Sequence, residues 1–146
     1  MKISNFIICD DIRMELGNKM SLMGIYPDTI NFNSTINQQN KWPKSKSLAL
    51  YAQIKLEGEE RLSDISAFKI EIDYDGEIIQ IAKNELHEEQ EKKQKGILIN
   101  ALFNNFQFKS PGEIKFKFYF LDQDDNELYT VSPNEPLRIQ ERIINQ

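Results

Sequence analysis

Residues 112–121 read Gly-Glu-Ile-Lys-Phe-Lys-Phe-Tyr-Phe-Leu, and this stretch decides the fold class. Ile114, Phe116, Phe118 and Phe120 fall on one side, with Glu113, Lys115, Lys117 and Tyr119 on the other. Successive strand side chains point to opposite faces, so this period of two specifies a strand with one buried and one solvated face. Pro111-Gly112 sets its start and the polar run 122–126 its end, and Glu127 to Val131 reads as the hairpin partner.

The same period recurs along the chain. Leu48, Leu50, Ala52, Ile54 and Leu56 interleave with Ala49, Tyr51, Gln53 and Lys55. Phe68, Ile70, Ile72 and Tyr74 alternate with Lys69, Glu71 and Asp73, and run into Asp75-Gly76, the signature of a type I′ hairpin leading to Glu77–Ala82. Gly17-Asn18 plays that part between Arg13–Leu16 and Lys19–Tyr26, and Pro136 to Ile143 supplies a final strand. Ile97, Ile99, Ala101 and Phe103 occupy odd positions whereas Phe106 and Phe108 occupy even ones. One inserted residue swaps faces, so Asn104-Asn105 marks either a β-bulge or a turn between two short strands. One segment has helical spacing: Asn84 as cap, Gly96 as stop, and Glu88/Lys92, Glu89/Lys93 and Glu91/Lys95 at i, i+4. Residues 33–47 and 57–66 read as loops.

Eight to ten short strands with at most one polar helix near 85–95 predict an all-β protein: an antiparallel β-sandwich, immunoglobulin-like or similar, with a closed barrel as competitor. The 146 residues, without repeat or low-complexity tract, are expected to form a single domain spanning 1–146. Apolar residues at 40% and charged residues at 28% exclude a disordered or collagen-like chain. The 18 basic against 23 acidic residues argue against general nucleic-acid binding. Lys115, Lys117 and Tyr119, with Lys109 nearby, make only a small basic face of the kind that keeps strands soluble. Cys9 is the one cysteine, which excludes a disulfide framework, and His87 the one histidine. A free thiol, with no secretory signal and no apolar run of membrane length, predicts an intracellular, cytoplasmic protein without membrane contact.

The N-terminal block carries a resemblance. Cys9-Asp10-Asp11-x-Arg13-x-Glu15 followed by Gly17-x-Lys19-x-Ser21-Leu22-x-Gly24-Ile25-Tyr26 resembles the opening of a family of small uncharacterised bacterial and phage-associated proteins. The ending, Pro111-Gly112 into an alternating strand, a short turn and another strand, is also similar. The resemblance implies one compact β-sandwich-like domain and transfers no catalytic or binding residues.

Read physically, the block is a hairpin interrupted by Asp10-Asp11, carboxylates that are costly to bury without partners. One or both should sit at a strand end or bulge and accept backbone N–H groups. Arg13, Glu15 and Lys19 then alternate outward and can form cross-strand ion pairs, worth about 0–1 kcal/mol each. The functional alternative makes Asp10, Asp11, Arg13, Glu15 and Lys19 one charged surface for a partner.

Little else carries chemistry. Cys9 lies in an apolar strand and His87 among acids, with nothing to bring them together as nucleophile and base. Asp122, Asp124 and Asp125 on one turn are the best metal candidate, since calcium takes several oxygen ligands, yet the spacing is not an EF-hand and a solvated turn also favours Asp. A second source of ligands, Asp73 and Asp75, would need to lie at the same end. No nucleotide loop, zinc helix or nucleophile elbow is present. The resulting expectation is a non-enzymatic binding or accessory module without a cofactor, meeting another protein or a second copy of itself. A calcium-regulated sandwich using the acidic loops and a small hydrolase using Asp10 and Asp11 are the alternatives.

Overall fold

The computed structural model describes residues 1–86 and 96–144. Its strands are β1 (Lys2–Glu15), β2 (Lys19–Tyr26), β3 (Thr29–Ser34), β4 (Lys44–Lys55), β5 (Ala67–Tyr74), β6 (Glu77–Glu85), β7 (Gly96–Phe108), β8 (Gly112–Leu121), β9 (Glu127–Val131) and β10 (Leu137–Ile143). They make two sheets: one of order β2-β1-β4-β7, the other β3-β10-β8-β5-β6, with β9 also beside β8. The sheets stack as a sandwich, because each has one apolar face to remove from water.

β8 is the axis of the larger sheet. Ile114, Phe116, Phe118 and Phe120 are all buried, as their period requires. They meet Ile70 and Ile72 of β5 within the sheet, and Leu48, Leu50, Ile97 and Ile99 of the facing sheet share the same core. Phe6 packs its ring against Phe116 and Phe118 at 5.3 and 6.0 Å between centroids. Asp75 and Gly76 both take positive φ, 49° and 94°, the backbone a type I′ turn requires.

The ladders slip at four places, one of them between Phe120↔Tyr129 and Leu121↔Glu127 at the end of β8, and the other three shape the core. β7 runs unbroken from Gly96 to Phe108; its pairing slips by one residue between Leu48↔Phe103 and Lys46↔Phe106, with Asn105 at φ 73°. Asn104-Asn105 is therefore a bulge rather than a turn. A second slip, between Ile3↔Ile54 and Asn5↔Gln53, leaves Ser4 as the extra residue, so Ile3, Phe6 and Ile8 all pack towards the core. The third, between Ile70↔Ala82 and Glu71↔Gln80, sets Ile79, Ile81 and Ala82 against the core together.

The all-β, mainly antiparallel sandwich is as expected, with one strand unforeseen and two expectations to correct. Among the described residues one ladder is parallel: β3, unexpected from the sequence, lies parallel to β10 over Thr29–Ser34. Its Ile30 is buried and its Phe32 stacks edge-on to Trp42 and Phe108, so strand β3 and the chain after it close one end of the core. Asn84 is not a helix cap but a β6 residue, and Gly96 opens β7. The remainder of that helix, with His87 and its ion pairs, lies outside the described residues. The loop expected over 33–47 narrows to 35–43, pinned by Glu141. That carboxylate accepts the Asn40 N–H at 3.0 Å and the Ser34 hydroxyl at 3.0 Å and pairs with Lys44 at 3.1 Å. The Asn40 N–H and then the Ser34 and Lys44 contacts hold it below the usual carboxylate range, against the opposing effect of burial.

Candidate functional site

β1 changes neighbours halfway along. Residues Lys2–Cys9 pair with Lys55–Ala49 of β4, whereas Ile8–Glu15 pair with Tyr26–Lys19 of β2. Past Cys9 the β1–β2 hairpin therefore pairs only with itself and no longer with β4. It folds back over the sheet's outer face, where Ile12, Met20 and Leu22 cover Cys9, Ala49 and Tyr51. Asn100 of β7, two strands away from β1, donates from Nδ2 to Met20 Sδ at 3.1 Å. Cys9 is thereby fully buried, its thiol donates to the Asp11 carbonyl at 3.4 Å, and burial pushes its pKa up.

Asp10 and Asp11 sit at this bend, inside a continuous strand rather than at an end. The pairing to β2 keeps one register from Ile8↔Tyr26 to Glu15↔Lys19, so the bend needs no extra residue. Gly24, opposite Asp10, makes room: its φ is 68°, and a Cβ there would fall on the Asp10 carboxylate. The Tyr26 hydroxyl donates to Asp10 Oδ1, and Lys46 Nζ lies 3.5 Å from the same oxygen and 5.5 Å from the Tyr26 ring centre. Burial and then the Asp10 bond raise the Tyr26 pKa, while the Tyr26 hydroxyl leads the contacts that raise that of Lys46. Asp11 instead accepts the Ile12 N–H at 2.9 Å and pairs with Arg13 at 3.3 Å. The two carboxylates turn to opposite sides of β1 and have separate partners, so they do not form the paired acids a carboxylate hydrolase would use.

The expected cross-strand ion pairs do not form. Arg13 pairs along its own strand with Asp11, Glu15 accepts the Ser21 hydroxyl at 3.1 Å, and Lys19 makes no ion pair among the described residues. The five charged residues are nonetheless gathered on one hairpin. Sequence reasoning missed the apolar tip beside them: Met14 is 70% and Leu16 93% exposed, with Met23 and Ile25 also open to solvent. Two methionines and a leucine around a charged turn were the available signal.

The acidic turn closes on itself. Asp122 accepts the backbone N–H of Asp124 and of Asn126, both at 2.9 Å, and the Asn126 bond leads in depressing its pKa. Asp125 pairs with Lys83 at 3.3 Å. Asp73 and Asp75 cannot be a second source of ligands, because Asp73↔Lys115 and Ala67↔Leu121 place the two turns at opposite ends of β8. Among the described residues no three His, Cys, Asp or Glu side chains gather as metal ligands.

A groove of about 610 Å³ adjoins the hairpin, running from Lys2 along β1 to Tyr26 and Pro27. Its far wall is the arch Ser132–Pro136, where the chain loops out between β9 and β10. Among the described residues, no helix is long and apolar enough to cross a membrane. Comparison with family models, curated proteins and solved structures finds no match to this chain.

Proposed function

We propose that the chain is a non-enzymatic protein-binding or accessory module, and that the β1–β2 hairpin carries its contact surface. One observation supports this reading above others. Past Cys9 the hairpin pairs only with itself and no longer with β4, and it holds Met14 and Leu16 in water beside Arg13, Glu15 and Lys19. Apolar side chains rimmed by charge are the usual composition of a contact patch, with the charges tuning association more than folding. The free Cys9 thiol and the resemblance to bacterial and phage-associated proteins favour a bacterial cytoplasmic setting. Affinity purification from the native host, read by mass spectrometry, tests the reading. The wild-type chain should retain a partner that is lost with Arg13, Glu15 and Lys19 all changed to Ser at unchanged stability. A partner set identical for both chains would overturn it.

A further inference from the structure

β1 loses a neighbour where β2 ends. β2 stops at Tyr26, opposite Ile8, and Pro27-Asp28 divert the chain to β3 in the other sheet. Among the described residues, the only backbone ladder along Lys2–Ile7 is the one to β4. On each side of the Ser4 bulge, alternate residues of that half-strand thus direct their N–H and C=O away from β4, on the side where the 610 Å³ groove lies. This gap begins where Ile25-Tyr26, the end of β2, stand beside Ile8-Cys9, and it runs on along β1. Its length, about 20 Å at roughly 3.3 Å per residue, suits an extended segment of about six residues.

The walls have the matching character. Phe6, Ile8, Val131 and Leu137 line the side towards the core, and Pro133 and Pro136 stand on the arch, where neither offers a backbone donor to compete with β1. In its second half β1 lies between β2 and, up to Cys9, β4, whereas along Lys2–Ile7 it is the edge of its sheet and only half of β2's place is filled.

We propose that the gap beside Lys2–Ile7 is an acceptor slot for an extended peptide of a partner protein, which adds to β1 as the missing continuation of β2. Unpaired strand-edge N–H and C=O groups recognise another backbone, and the groove recognises its alternate side chains, the two parts of binding by strand addition. Residues facing the core side are apolar and those facing out are unrestricted. The slot rests on the reading of the chain as a protein-binding module but not on the hairpin charges.

The test uses the full chain and linear nine-residue peptides selected on it from a random phage-displayed library. The enriched peptide should alternate apolar residues, and on binding it should slow hydrogen exchange at alternate amides within Lys2–Ile7. N-methylating one alternate set of its amides should weaken binding at least about tenfold, with the other set tolerated, since only one set faces β1. Binding unaffected by the position of methylation, protection elsewhere such as at β6 and β7, or no enriched peptide would overturn the slot. A dimer of the chain protected at the same amides would give the slot to a second copy and also overturn the proposal. The Arg13/Glu15/Lys19 triple variant separates the two readings. It should keep peptide binding; a peptide that fails on wild type while the triple variant still loses its cellular partner refutes the slot alone.

Discussion

β8 and β1 touch in the core, where Phe6 lies on Phe116 and Phe118, yet their sequences encode structure in different ways. β8 keeps its alternation from Gly112 to Phe120, because it stays in one sheet with β5 alongside from Ile114 onward; only at its end are Phe120 and Leu121 both buried, where the pairing to β9 slips. β1 takes an extra residue at Ser4, then turns off at Asp10-Asp11 and addresses a different layer. Phe6 and Ile8 face the main core, but Ile12, also even-numbered, packs in the outer cluster with Cys9. Regular period is therefore the mark of a strand that keeps one path. Its loss, with carboxylates inside an apolar run, marks a strand that changes partners.

The contrast is sharpened first in β8. Phe118 is fully buried between both sheets, so Phe118→Ala should lower the unfolding free energy by about 3–5 kcal/mol in a denaturant titration, transfer and cavity costs together. A loss below about 1 kcal/mol would mean that β8 is not the axis of the core. In the hairpin the sensitive residue is a glycine. Gly24→Ala places a side chain at φ 68° and on the Asp10 carboxylate, displacing it from Tyr26 and Lys46. It should cost on the order of 1–3 kcal/mol, and an unchanged denaturation midpoint would deny the bend its stated cause. At the small end, changing Arg13, Glu15 and Lys19 to Ser should shift stability by less than about 1 kcal/mol, since these groups are exposed and poorly paired.

Much of the fold was legible because local rules determined it. β8, β9 and the Asp75-Gly76 turn follow from period and turn chemistry alone, and the phase change at Asn104-Asn105 exposed a bulge. β3 escaped because its partner β10 is more than a hundred residues away and parallel, so no turn announces the pair. The bulge at Ile81 was hidden in Ile78–Ala82, apolar on both faces, where an inserted residue shows little; the one at Ser4 left only the change of phase from Ile3 to Phe6 across Ser4-Asn5. Of the candidate site, the sequence located the charged hairpin but misjudged its contacts. Arg13 found Asp11 two residues away, and Asp10 found Tyr26 and Lys46, the latter on β4, a strand no local pattern links to it. The acidic turn was visible, but its closure on its own backbone depends on loop geometry rather than composition.

The fold-back of the β1–β2 hairpin over the outer face is the central claim, and Cys9 reports on it directly because it is the only cysteine in the chain. Labelling with an aromatic disulfide reagent should be followed at one pH in native buffer and in urea. With Ile12, Met20 and Leu22 in place, native Cys9 should react at least about a thousandfold more slowly than in the unfolded chain, which corresponds to an opening free energy of about 4 kcal/mol. Its raised pKa adds to the suppression. Ile12→Ala should speed native labelling severalfold or more, by thinning the cover. Native labelling at the unfolded rate would leave the outer face of β1 bare and contradict the fold-back.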